Sequence, residues 1–140
     1  MAQRRGSAAL ASQNRPTSAA RFPTPEAAAY GVDQALALIK GRWKLLILFH
    51  LFSGQVRRFS ALDRAIPGVS QKMLTQQLRQ LEKAGLVRRV VYPEVPPRVE
   101  YLLTDWGQAL CPVLDALLQW LPDDEARLRA AGPRALSRST

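Results

Sequence analysis

Two short helical patterns separated by Pro67-Gly68, the second opening at Ser70, constrain this chain more than any other feature. In the second pattern Leu74, Leu78 and Leu81 recur at spacings of four and three, so they share one buried face. The opposite face carries Gln71, Lys72, Thr75, Gln76, Arg79 and Lys83, and no carboxylate. Ser70 is placed to cap this helix, and Gly85 to end it in a left-handed conformation. Ser60 and Asp63 read as a capping box for the helix before it. Two β-rich runs follow, residues 86–92 and 99–103. Between them Pro93-Glu94-Val95-Pro96-Pro97 forms a stiff tip where pairing must stop, because proline cannot donate to a ladder. Helix, turn, helix and hairpin are the order of a winged helix-turn-helix, a DNA-binding element.

The rest of the chain supports that element. Val32, Ala35, Leu36 and Ile39 make an apolar stripe over residues 26–40. Trp43, Leu46, Ile47, Phe49 and Leu51 follow on a helix too apolar for a surface, which predicts the central core helix. Leu62, Ala65 and Ile66 are expected to pack inward. Thr104 is placed to cap a last helix carrying Trp106, Leu110, Val113, Leu114, Leu117 and Trp120, which Pro112 is expected to bend or break. Residues 1–25 contain Arg4, Arg5, Arg15 and Arg21 without an acid and read as a disordered basic arm. Residues 26–121 read as the globular domain and 122–140 as a short flexible tail. The expected fold is mainly α (α+β), a winged helix-turn-helix with additional N- and C-terminal dimerisation helices.

Charge narrows the function. Twenty Lys and Arg against eleven Asp and Glu give a net charge of +9, which favours polyanionic partners. The single cysteine excludes an intrachain disulfide framework and fits a reducing cytosol. No apolar run approaches the roughly 18 residues that cross a membrane, and the N-terminus lacks the apolar core of a secretory signal. A cytoplasmic, nucleoid-associated chain is therefore expected. His50 is the sole histidine and lies in the apolar helix, so neither a histidine-based metal cluster nor a catalytic triad can be assembled. The expectation is no enzyme, no metal and no cofactor. Cys111 reads as a small hydrophobe, its one redox route being pairing with its symmetry mate.

A helix entering the major groove presents the residues opposite its core stripe. Those are Gln71, Lys72, Thr75, Gln76 and Arg79, with Ser70 at the N-terminus, where a hydroxyl and free N–H groups suit a phosphate. Glutamine can bond bidentately to adenine, arginine or lysine to guanine, and the threonine methyl can meet that of thymine. Arg57, Arg58, Arg89 and Arg98 are the candidates for backbone and wing contacts, Arg98 for a phosphate or the minor groove. Dimerisation through Val32, Leu36, Ile39, Leu110, Leu114, Leu117 and Leu118 would double the contacts and select a palindrome with half-sites about 34 Å apart. Some of these residues must serve the monomer's own core, and sequence does not apportion them. The rival readings are a basic protein–protein module, a non-specific nucleic-acid binder and an RNA-binding winged helix. RNA readers need stacking platforms, and the reading helix has no aromatic residue.

GRWKLLIL, RRFSALDRAIPGVSQKMLTQQLRQLEKAGLVRR and VYPEVPPRVEYLLTDWGQAL together resemble the HxlR-type family of bacterial winged helix-turn-helix transcriptional regulators. The resemblance covers about Gly31 to Leu121. It implies a homodimer held by the first and last helices, a reading helix over residues 70–84 and a wing over 86–103. It implies a regulator of double-stranded DNA; a repressor is expected before an activator, although the residues do not decide between them, and no effector is specified. Family members usually carry a cysteine just before the first helix, commonly followed by proline. Tyr30 and Gly31 stand there in this chain, which speaks against thiol sensing at that place.

Overall fold

The computed structural model describes residues 18–122 together with Asp124 and Arg129, and the chain divides after Gly41 into two units. The first contains α1 (Ser18–Arg21), a single helical turn, and α2 (Pro25–Ile39). Thr24 starts α2: its Oγ1 accepts from the Ala27 N–H at 3.1 Å, and Pro25 takes the first position, where a missing N–H costs nothing. The Phe22 ring lies against Gly31, where a side chain would collide with it. Of the stripe on α2, Val32 and Leu36 are exposed and Ile39 is buried. Residues 1–17 of the expected basic arm lie outside the described residues, and Ser18–Arg21 are helical. The flexible tail expected from residue 122 lies almost wholly outside them as well.

The second unit opens with α3 (Arg42–Leu51), a 3-10 turn (Phe52–Gly54) and a two-residue strand β1 (Arg57–Arg58). It continues with α4 (Phe59–Ala65), α5 (Gln71–Lys83), β2 (Val87–Tyr92), β3 (Arg98–Leu103) and α6 (Asp105–Trp120). The strands form an antiparallel sheet in the order β1-β3-β2, with Arg57 opposite Tyr101 and Tyr92 opposite Arg98. Ile47, Leu48 and Leu51 of α3, Leu62 and Ile66, Leu74, Leu78 and Leu81 of α5, and Val87 of β2 build the core. Each fully buried aliphatic side chain stabilises by about 1.5–3 kcal/mol before conformational entropy is counted.

The helix signals around the turn act as expected at α5. Ser70 Oγ accepts from the Met73 N–H at 3.0 Å. At the other end Gly85 has φ +83°, and the bonds Leu86 N–H to Leu81 O and Gly85 N–H to Glu82 O close the helix. Thr104 caps α6, accepting from the Gly107 N–H at 3.0 Å and donating to the Gly85 carbonyl at 2.6 Å.

Three expectations are corrected. Ser60 does not cap α4, which starts at Phe59 with Arg58 in the cap position and no side-chain bond. Pairing of β1 with β3 fixes the entry of the chain there, so no hydroxyl cap is required. Leu46 and Phe49 of α3 are exposed rather than interior, because Ile47, Leu48 and Leu51 fill the packed side of the helix. Pro112 neither breaks nor ends α6, which runs unbroken from Asp105 to Trp120. Gly107 and Leu114, buried on either side of the proline, hold both halves in place.

Candidate nucleic-acid interface

The amphipathic split of α5 determines what the interface can be. Leu74, Leu78 and Leu81 have no accessible surface, so the remaining sides of the helix are committed to solvent. Gln71, Lys72, Gln76 and Arg79 are exposed, and Thr75 is half-buried among them. These five residues, with Phe59 of α4, line a shallow groove of about 410 Å³. Gln71 is not wholly free within it: its Nε2 donates to Asp63 Oδ2 at 3.2 Å, which leaves its carbonyl oxygen and one amide N–H for an outside partner.

Beside that groove, between α5 and the hairpin, lies a cleft of about 590 Å³. Thr75 and Arg79 line it from α5, Arg58 from β1, Arg89 from β2, and Glu94 to Val99 from the tip and β3. Among the described residues, four guanidiniums and one carboxylate therefore surround one open cleft. Such a concentration of cations beside a half-apolar wall of Phe59, Val95 and Val99 suits a polyanion with flat or apolar edges, which is the chemistry of a nucleic-acid backbone and its bases.

The sequence-predicted site residues fall into three groups. The structure brings Thr75, Arg79, Arg58, Arg89 and Arg98 together on the cleft, and Gln71, Lys72 and Gln76 on the adjoining groove. Ser70 stands at the exposed start of α5, its hydroxyl already used by the Met73 N–H. Arg57 does not line the cleft; it is half-buried, and its Nε has no hydrogen-bond partner among the described residues. Arg98 lines the cleft but is engaged inside the hairpin by Glu94, Glu100 and the Tyr92 ring.

Sequence reasoning missed those partners of Arg98, as well as Asp63 and Phe59. Two signals were present. Glu94 and Arg98 are four residues apart across a turn, and Arg98 and Glu100 two apart along a strand, on one side of the sheet.

The apolar residues expected at a dimer seam are apportioned as well. Ile39 and Leu114 are buried within the single chain and Leu110 is half-buried. Val32, Leu36, Leu117 and Leu118 stay exposed. In the second unit Leu45, Phe49, Leu114, Leu117, Leu118, Trp120 and Leu121 line an almost wholly apolar groove of about 270 Å³. Cys111 on α6 is half-buried. Among the described residues no group of three or more His, Cys, Asp or Glu could hold a metal ion, and no helix is long and apolar enough to cross a membrane.

Known proteins are similar to this chain in sequence and fold. The profile of HxlR-like helix-turn-helix proteins matches residues 38–127. An uncharacterized HTH-type transcriptional regulator of Methanothermobacter thermautotrophicus is 53% identical over 89 residues, which span 64% of this chain and 67% of that one. The crystal structure of a protein assigned to the MarR family of transcriptional regulators, from Porphyromonas gingivalis W83, superposes with a TM-score of 0.59 at 42% identity, over 64% of this chain and 86% of the other. The redox regulator HypR in its reduced form gives a TM-score of 0.64 at 39% identity, over 71% of this chain and 98% of HypR.

Proposed function

The chain belongs to the HxlR-like helix-turn-helix family, whose relatives are HTH-type transcriptional regulators, and on that basis we propose that it reads a palindromic operator as a homodimer. The observation that carries this reading is the cleft where Arg79 and Thr75 of α5 meet Arg58, Arg89 and Arg98 around an exposed helix face. In it, α5 enters the major groove. Gln71, Lys72, Thr75, Gln76 and Arg79 face base edges, and Ser70 marks the helix N-terminus against a phosphate. Arg58 and Arg89 supply charge toward the backbone, while Arg57, half-buried off the cleft, drops out of that set, and the hairpin with Arg98 lies along the neighbouring groove. Bases are read by α5 alone, so one protomer covers few of them and a second copy is needed for a useful site.

The exposed apolar residues support that second copy. Val32 and Leu36 on α2, and Leu117 and Leu118 on α6, are large apolar groups left in water by the single chain. A dimer seated on a promoter excludes polymerase by bulk, so repression is the proposed direction. Regulation of transcription is the role of the relatives this chain resembles, and it is the role proposed for it.

Selection of bound duplexes from a random pool with the purified chain tests the reading. A palindromic sequence should emerge, and Arg79→Ala should then cost about 1–3 kcal/mol at that site and relax preference at particular bases. Enrichment of no sequence, or an Arg79→Ala variant with native affinity and native base preference, sinks it.

A further inference from the structure

The tip of the hairpin carries a charge arrangement that base reading does not require. Arg98 opens β3 directly opposite Tyr92, and its guanidinium lies 4.0 Å from the centre of the Tyr92 ring. Its Nη2 is 3.4 Å from Glu94 Oε1, and its Nε, buried without a hydrogen-bond partner among the described residues, is 3.9 Å from Glu100 Oε2, so both contacts are ion pairs. Glu94 reaches it because the chain turns at once after β2: the Glu94 N–H donates to the Tyr92 carbonyl at 2.8 Å. Glu100 reaches it along β3, two residues on and on the same side of the sheet. One cation thus faces two carboxylates and a ring. The Arg98 side chain keeps 28% of its surface exposed, while Glu94 keeps 53%.

Position makes this clasp relevant to binding. Glu94 is the one carboxylate among the described residues that line the cleft, and it stands beside Arg98 at the outer end of the wing. A guanidinium already held by carboxylates brings little net charge to a phosphate and displaces few counterions from DNA. A freed one would add a full phosphate contact. The arginine count of the wing therefore overstates the charge it can offer.

We propose that Glu94 is a brake on the wing: it holds Arg98 back against Tyr92 and withholds that cation from the DNA backbone. The inference rests on the proposed duplex binding of this same face. Its consequence is a weaker sequence-independent hold on DNA, which limits the time the chain spends on the many wrong sites of a genome.

The test measures affinity of the full chain for a mixed-sequence duplex at several salt concentrations between about 50 and 200 mM. Glu94→Gln should bind more tightly at low salt, by roughly threefold to tenfold, and its log–log salt slope should steepen by about 0.9, the value of one further phosphate contact. Glu94→Ala, which leaves Arg98 no neutral amide to bond, should do the same. Arg98→Gln alone should keep the native slope, and the Glu94→Gln/Arg98→Gln double variant should lose the gain. Thermal melts of each variant confirm that the tip substitutions leave the fold intact.

A Glu94→Gln slope equal to the native one overturns the brake. So does a double variant that keeps the gain, since loss of a negative charge alone would then explain it. An Arg98→Gln slope shallower by about 0.9 overturns it too, because Arg98 would already be on a phosphate. Failure of the underlying reading looks different: the native chain would hold no duplex even at low salt, and both ideas would fall together.

Discussion

Single atoms decide how several side chains of the interface can act. Ser70 Oγ accepts from the Met73 N–H with one of its two lone pairs, so its O–H stays available to donate to an outside acceptor. Gln71 donates one amide N–H to Asp63, which orients its amide and leaves its carbonyl oxygen and second N–H toward solvent. Cys111 is a different matter. It is the one thiol of the sequence and it is half-buried on α6; Tyr30 and Gly31, expected just before the first helix, lie inside α2, which already starts at Pro25, and neither carries a thiol. Oxidation follows thiol access, which partial burial restricts. Duplex affinity should therefore be the same before and after mild peroxide, and the same again in Cys111→Ser. A large change in the native chain that vanishes in the serine variant would make Cys111 a sensor and refute this expectation.

At the scale of elements, the junction of α5, β2 and α6 sets where the wing stands relative to the reading helix. Thr104 joins them: its hydroxyl donates to the Gly85 carbonyl at the end of α5, its oxygen caps α6, and its N–H donates to the Leu86 carbonyl at 3.0 Å. Gly107 completes the junction, because α6 passes so close to the residue that leads into β2 that an added Cβ would run into the Leu86 carbonyl oxygen. Backbone cannot move aside as the end of a flexible side chain can. Gly107→Ala should thus destabilise the fold by about 1–3 kcal/mol, read as a lower midpoint in chemical denaturation. A midpoint equal to the native one would mean that α6 can shift without cost. Pro112, in the same helix, shows the converse. A residue that ends helices in isolation is carried through the middle of one when packing on both sides fixes the path.

For the whole molecule the open question is its second copy. The groove beneath Leu117, Leu118 and Trp120 offers almost only apolar surface, and Trp120 keeps 78% of its surface in water. Surface of that kind asks for a partner. The mass in solution at micromolar concentration should be near twice 15.6 kDa. Leu117→Glu combined with Leu118→Glu should return the chain to a monomer. It should also weaken binding to a palindromic duplex on the order of 100-fold, because the two reading helices no longer arrive together. A native chain that is cleanly monomeric without DNA, or a double variant that remains dimeric, would remove α6 from the interface.

Local patterns in the sequence determined the order of elements, the two faces of α5 and the caps at Ser70, Gly85 and Thr104, since spacing, glycine and short hydroxyl residues act within one or two turns of chain. They also determined which residues of α5 face solvent, because the core stripe of Leu74, Leu78 and Leu81 leaves the other face open. Only tertiary structure decided matters that depend on what packs against what. Strand β1 exists because β3 offers it an edge, and α4 needs no cap because that pairing guides the chain into it. Leu46 and Phe49 are exposed while Leu114 is buried, although all three look alike in the sequence. Arg98 read as a free cation until the turn at Glu94 and the pleat at Glu100 placed two carboxylates on it. Charge is a property of a residue, but availability of charge is a property of its neighbours, and the fold chooses those.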